Sequence, residues 1–327
     1  MTSRAGRLAA TAGAFAAAGL AGAAATRMKN RQIELRRLAR GDQTEFGSLH
    51  GASYYVTASD DVPIHVEIDD GPEPTVVFVH GWLCDLDTWH FQRLSLRGQA
   101  KLVFMDLRAH GRSGKSTMKN SSLERLADDL HRVIDHHATE GPIVLVGHSM
   151  GAMTIMQLAA SSPELFGDRV QAVVLVSTSS GKLMKSSPAM KYIAPLIKVA
   201  TPALDWGREF NSYSVIKRYG FGAYAEPDEI DMATEMIMRA PTSVLVNFYP
   251  NFVKLDLSKS FKVLGRVRTS VVCGTKDVMT PFSHSRWIAR HVDGAELVPV
   301  TDCGHLVMFE EADQVTEAIE RVLKDIS

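Results

Sequence analysis

The stretch Ile143-Val144-Leu145-Val146-Gly147-His148-Ser149-Met150-Gly151 constrains this chain more than any other. Four β-type residues run into two glycines that flank a serine, and a helical pattern follows over Met150–Ala160. The glycines permit a sharp strand-to-helix turn that throws the serine into a strained backbone conformation, its hydroxyl clear of the strand end. The helix N-terminus beneath it offers free N–H groups to a developing negative charge. A bare G-x-S-x-G arises often by chance; one that ends a buried strand and opens a helix is specific. The competing reading is a Gly-rich turn with an incidental serine.

The rest of the chain supports a strand in that place. Ala52–Ala58 and Val62–Ile68 are β-rich runs around Ser59-Asp60-Asp61, which predicts a hairpin. Short continuous apolar runs follow at Thr75–Val79, Leu102–Met105, Ile143–Val146, Val173–Val176 and Ser270–Cys273, with a weaker one at Glu296–Val300. Such runs are those of parallel strands buried on both faces. Helical patterns lie between them at Asp87–Leu96, Ser122–His137, Met150–Ala160, Ser283–His291 and Glu310–Lys324. This alternation predicts an α/β fold: a mostly parallel central sheet with helices on both faces. Between Ser180 and Ser258 no strand is evident, although Met184–Val199, Ser212–Tyr219 and Asp228–Met238 can be helical. A structureless loop of that length does not fit a compact domain, so a helical insertion over about 180–258 is expected. Its methionines 184, 190, 232, 236 and 238 read first as core and second as the lining of an apolar pocket.

A serine hydroxyl needs a base, and the base needs an orienting acid. Gly304-His305 follows the last strand, on the sheet edge where Ser149 should stand. Val271-Val272-Cys273-Gly274-Thr275-Lys276-Asp277 places Asp277 just past the preceding strand, with Pro281 closing the loop. Asp302 competes for the acid's role, but its closeness to His305 in sequence suits a turn-capping residue better. Two backbone donors are expected for the oxyanion: the N–H of Met150, next after the serine, and that of Trp82 in the loop His80-Gly81-Trp82. The Trp82 indole would wall the pocket or pack over the sheet edge. His80 reads as a structural hydrogen-bonder rather than a base.

Residues 50–327 thus resemble an α/β-hydrolase-fold serine hydrolase of the esterase and lipase kind. The resemblance rests on His80-Gly81-Trp82, Asp106-Leu107-Arg108-Ala109-His110-Gly111-Arg112-Ser113, Gly147–Gly151, Asp277 and Gly304-His305. It implies the chain order Ser149…Asp277…His305 for the triad, and a helical cap where the 180–258 insertion falls. The Asp106–Ser113 segment resembles the family's D-x-R-G-x-G-x-S loop, usually structural, with Ala109 where glycine is commoner. Relatives that open epoxides or remove halide carry aspartate at the nucleophile position, and Ser149 argues against both activities.

Rival chemistries fare worse. Ala109-x-x-x-x-Gly114-Lys115-Ser116 loosely matches a phosphate loop, but polar Thr117–Ser121 intervenes before any helix. His131 and Asp135 form an i,i+4 pair that reads as a solvated helix face rather than a metal site. With 36 Lys+Arg against 37 Asp+Glu there is no basic excess to grip nucleic acid. Hydrophobic residues at 45% and charged at 22% exclude a collagenous or mostly disordered chain. Three scattered cysteines, Cys84, Cys273 and Cys303, suggest neither a disulfide framework nor a zinc clasp. A non-catalytic binding protein on the same fold is the alternative from another class.

Residues 1–49 are a compositional exception. Leu8–Thr26 is 19 residues without charge, of which eleven are Ala and three Gly. Its three large apolar side chains, Leu8, Phe15 and Leu20, give only a weak drive for insertion. Arg27, Lys29, Arg31, Arg36, Arg37 and Arg40 follow, opposed by Glu34 alone. Positive charge gathers on the cytoplasmic side of a membrane, so the expected place is the cytoplasm or the inner membrane face. Arg4, Arg7 and Ala23-Ala24-Ala25 also fit an export signal, which the basic segment opposes. An inert leader is the third reading.

The expected function is cleavage of a small-molecule carboxylic ester through an acyl-enzyme on Ser149, without metal or organic cofactor. A medium or long acyl chain suits the Met-, Leu- and aromatic-rich cap. The same triad could serve a thioesterase, an amidase, a cofactor-free haloperoxidase or perhydrolase, or a carbon–carbon bond hydrolase. The sequence leaves the oligomeric state open.

Overall fold

The apolar runs form a single eight-stranded sheet. In the computed structural model, which describes residues 44–190, 193 and 201–326, the strands are β1 (Ala52–Thr57), β2 (Pro63–Asp69), β3 (Thr75–Val79), β4 (Lys101–Met105), β5 (Ile143–His148), β6 (Val170–Val176), β7 (Arg268–Gly274) and β8 (Glu296–Val300). Their order across the sheet is β1-β2-β4-β3-β5-β6-β7-β8. The hairpin β1–β2 and the pair β2–β4 are antiparallel, and every other pair is parallel. Strands β3 and β5 are buried at every position, as strands covered on both faces must be. Edge strand β8 is mostly half-buried, which explains its weaker apolar pattern.

Helices α1 (His90–Leu96), α2 (Leu123–His137) and α3 (Met150–Ser161) follow β3, β4 and β5. Between β6 and β7 the chain forms α4 (Leu183–Ser186), α5 (Thr201–Gly220), α6 (Pro227–Arg239), α7 (Thr242–Phe248), α8 (Pro250–Val253) and α9 (Phe261–Leu264). Helix α10 (Phe282–His291) follows β7, and α11 (Val307–Glu310) and α12 (Ala312–Ile326) follow β8. Side chains alternate along each strand and so feed two cores. Val77, Leu145 and Val173 pack with Leu130 of α2 and Met153 of α3. Phe78, Val146 and Val174 pack with Leu96 of α1 and Ile319 of α12. The sheet is thus covered on both faces, and the helical cap lies in the β6–β7 connection.

Several boundaries differ from expectation for identifiable reasons. Asp87–Leu96 divides into a 3₁₀ turn, Leu86–Trp89, and α1, because the Asp85 carboxylate accepts the Asp87 N–H and starts the tighter turn. The helix expected over Ser212–Tyr219 extends back to Thr201; Pro202 falls in its first turn, where its missing N–H costs nothing. Most of the expected helix Met184–Val199 lies outside the described residues, and α4 covers only its start. The last expected helix is interrupted at Glu311, giving α11 and α12. Helices α7 to α9 are too short for a 3.6-residue period to show. Ser122, expected as the first residue of α2, is its N-cap and accepts the Arg125 N–H.

Phe46–Ser327 forms one unit by its internal contacts. The uncharged stretch 8–26 and the basic block 27–40 lie outside the described residues. No helix among the described residues is long and apolar enough to cross a membrane.

Candidate active site

The register levels the C-terminal ends of three strands: Val79 of β3 pairs with Gly147 of β5, and His148 pairs with Val176 of β6. Ser149 sits on this edge with φ 53° and ψ −111°, a conformation that side chains other than glycine rarely adopt. Its neighbours explain the flanking glycines. A Cβ on Gly147 would lie 2.7 Å from the Ala152 nitrogen, and one on Gly151 only 2.1 Å from the Val79 oxygen. The strained residue is held from both sides: its N–H donates to the Val176 carbonyl at 2.9 Å, and its carbonyl accepts the Thr178 hydroxyl at 2.8 Å.

Three residues from distant loops meet here. Nε2 of His305 lies 3.0 Å from the Ser149 hydroxyl, and its Nδ1 lies 2.8 Å from Oδ2 of Asp277. All three are buried. Asp277 is itself saturated with donors. Its Oδ1 accepts the N–H groups of Met279 and Thr280, and its Oδ2 also accepts the Thr280 hydroxyl, each at 2.8 Å. Asp302 stands elsewhere. Its half-exposed carboxylate lies 3.7 Å from Lys276 Nζ, and its N–H donates to the Thr275 hydroxyl, so it shapes the turn before His305.

The Trp82 and Met150 N–H groups have no hydrogen-bond acceptor among the described residues. Their loops approach closely: a Cβ on Gly81 would lie 3.3 Å from Cβ of Ser149 and 2.6 Å from Nδ1 of His148. The Trp82 indole is buried, with Nε1–H donating to the Val244 carbonyl of α7 and the ring 4.9 Å from Phe252 of α8. It therefore joins the sheet edge to the cap. The methionines divide similarly. Met232 and Met236 of α6 pack with Phe46, Leu86 and Trp89, away from a pocket role, and Met236 Sδ accepts the Thr88 hydroxyl. Met184 and Met190 instead join the core cluster that contains Trp82 and Met150.

The other histidines at this edge are neutral. His80 accepts the Leu107 N–H at Nε2, so its Nδ1 carries the proton and donates to the Gly81 carbonyl. Burial holds His80 below the ordinary histidine range and pushes His110 down to about 3. Burial also drives His148 well down, and the nearby His305 ring adds to this. His148 Nε2 donates to the His305 carbonyl at 3.2 Å, while its buried Nδ1 has no partner among the described residues. Of these rings, only His305 has a carboxylate within hydrogen-bonding distance. His148, Thr280 and Glu310 escape the sequence reading. Only Thr280 left a signal, a hydroxyl three residues after Asp277 and just before Pro281.

The Asp106–Ser113 loop is scaffolding. Burial pushes Asp106 up, but the His65 hydrogen bond and the nearby His80 bring it below the usual carboxylate range. Arg108 forks onto Asp129 and Asp60. Ala109 has φ 63°, the left-handed conformation that makes glycine the easier residue there. The loose phosphate-loop match ends in a short 3₁₀ turn, Met118–Asn120, and no helix begins until Leu123. His131 Nε2 lies 3.8 Å from an exposed Asp135 carboxylate. Among the described residues no group of three His, Cys, Asp or Glu is placed to hold a metal.

Comparison with known proteins agrees with this architecture. Residues 76–318 match the family model described as the alpha/beta hydrolase family. The dihydrolipoyllysine-residue acetyltransferase component of the acetoin cleaving system of Pseudomonas putida is 24% identical over 76% of this chain; the match spans 63% of that protein's own length. The pimeloyl-[acyl-carrier protein] methyl ester esterase of Nitrosomonas europaea is 25% identical over 79% of this chain and 98% of its own. Among solved structures, a thermophilic esterase from Thermogutta terrifontis superposes with a TM-score of 0.66 at 24% identity, covering 84% of this chain and 99% of that one. On its matched residues and its sheet topology, the chain belongs to the α/β hydrolase family.

Proposed function

We propose that this hydrolase cleaves carboxylic esters through an acyl-enzyme on Ser149, with His305 as the base and Asp277 as the acid that orients it. The observation that carries the reading is the continuous path Ser149 Oγ–His305 Nε2, His305 Nδ1–Asp277 Oδ2, at 3.0 and 2.8 Å. His305 takes the hydroxyl proton as Ser149 Oγ attacks the ester carbonyl carbon. The oxyanion that forms is held by the N–H groups of Trp82 and Met150. Collapse expels the alcohol, protonated by His305, and leaves the acyl-enzyme. Water then repeats the sequence, with His305 again the base, and releases the acid. Asp277 stabilises the imidazolium in both halves, and its other donors fix the carboxylate in place.

An apolar acyl group of medium or long chain is the proposed substrate, supported by the apolar character of the surroundings. Leu183, Met184, Met190, Phe248 and Phe252 share one apolar cluster with Trp82 and Met150. A relative named for a methyl ester of an acyl-carrier-protein-bound acid is consistent with such substrates. The test is a serine-directed fluorophosphonate probe followed by p-nitrophenyl esters of graded chain length. Labelling at Ser149 and a maximum above the acetyl ester support the reading. A Ser149→Ala variant that retains a tenth of wild-type turnover overturns it, because loss of such a nucleophile costs about 10⁶. The leader is further proposed to hold the protein at an anionic membrane face through the basic segment 27–40.

A further inference from the structure

The loop that bears His305 is fastened to the cap as well as to the sheet. The N–H groups of His305 and Leu306 both donate to the carbonyl of Gly220, the last residue of α5, each at 2.8 Å. Next to this pair, one carboxylate bridges the two chain segments. Glu310 Oε1 accepts the Gly304 N–H at 2.7 Å, and Oε2 accepts the Gly222 N–H at 2.8 Å. The backbones touch without side chains between them. A Cβ on Gly222 would stand 2.0 Å from the Asp302 oxygen, and one on Gly304 would stand 2.5 Å from the Phe221 carbonyl carbon.

We propose that Glu310 is a positioning residue for His305: its carboxylate ties Gly304 to Gly222, so that the cap end and the loop bearing the base move together. The inference rests on the hydrolase reading above and adds a residue that touches no reacting atom. Two features of the carboxylate suit the task. Its two oxygens each serve one N–H; burial pushes the carboxyl above its usual range, and these two bonds favour its charged form. A glutamine has one carbonyl oxygen, and its amide nitrogen would turn N–H toward N–H at the second glycine. Glu310→Gln therefore keeps the size of the side chain and loses one of its two anchors. With that anchor gone, His305 Nε2 is held less closely against the Ser149 hydroxyl.

The test follows the rate at which a fluorophosphonate inactivates the full chain by phosphonylating Ser149, a step that needs His305 in place but no ester binding. In Glu310→Gln this rate is expected to fall about tenfold or more, since misplacement by an ångström can cost about 10². The kcat for a p-nitrophenyl ester should fall in parallel while KM stays within about threefold. A variant that melts earlier yet is labelled at the wild-type rate shows a purely structural role and overturns the inference. Glu310→Asp keeps the charge but is too short to reach both glycines, so it carries the same test if the Gln variant does not fold; an unchanged rate there also overturns it. Wild-type protein that is not labelled at Ser149 overturns the hydrolase reading and this inference with it. A labelled wild type with unaffected variants overturns this inference alone.

Discussion

The indole Nε1–H of Trp82 donates to the main-chain carbonyl of Val244, 162 positions away in sequence and 3.1 Å away in space. One residue thus ties the loop beside Ser149 to the cap through its side chain. Trp82→Phe keeps an aromatic ring against Phe252 but leaves the Val244 carbonyl without that donor. The expected loss is about 1 kcal/mol, seen in a melting scan as a fall of a few degrees at most. Turnover should fall as well, because the loop loses one of its fixings. A variant with unchanged melting and turnover would show that this bond holds nothing.

The acid can be assigned by a paired substitution. Asp277→Asn removes the charge facing His305 and is expected to lower kcat by about 10⁴, the cost seen when a triad aspartate becomes asparagine. Asp302→Asn touches only a half-exposed contact with Lys276, worth about 1 kcal/mol at most in stability, and should leave kcat unchanged. Esterase kinetics on the two variants decide the matter, and a larger loss in the Asp302 variant would reverse the assignment.

Asp85 is expected to make stability depend on pH. Burial, with Asp87 and Asp106 nearby, pushes its carboxyl up to about 7, although Arg239 of α6 partly opposes this. An unfolded chain releases that proton near pH 4. Between about 4 and 7 the unfolded state therefore binds fewer protons than the folded one, and stability falls as pH rises. Asp85→Asn removes this loss while keeping an oxygen for the Asp87 N–H. Its melting temperature should rise relative to wild type as pH goes from about 4 to 8 and level off above. A constant difference across that range would mean that Asp85 does not titrate there.

Deleting residues 1–40 should leave hydrolysis of a soluble short-chain ester unchanged, since no proposed site residue lies there. It should reduce membrane association, because six basic residues contribute about 1 kcal/mol each near an anionic surface. Full-length protein bound to anionic vesicles should wash off in about 1 M salt, where the screening length is about 3 Å. Protein that never binds such vesicles at low salt would mean that the leader is inert.

What the sequence revealed and what it hid follow from the range of the interactions involved. The strands of the sheet and Ser149 were legible because their signals are local: apolar runs of fixed length, and glycines on either side of a sharp turn. Asp277 and His305 could be named because a parallel sheet brings successive loop ends to one edge, so chain order stands in for geometry. Glu310 reads from sequence only as a helix start, because its partners are the backbone N–H groups of Gly304 and Gly222, which every residue type but proline can supply. His148 was hidden for a similar reason, since its contact is with a carbonyl. Helices α7 to α9 and the division of the last helix at Glu311 depend on tertiary packing, which outweighs propensity in short segments.

The left-handed backbone of Ser149 holds the resting protein under local strain. Glycine at that position would relieve the φ of 53°, by about 1 kcal/mol or more, at the loss of the buried hydrogen bond to His305. Under the proposed mechanism, backbone strain and chemistry therefore pull in opposite directions at a single codon. A library of this chain screened only for survival at high temperature should enrich Ser149→Gly and lose the hydroxyl, so directed evolution of a hardier enzyme must select for turnover in the same round.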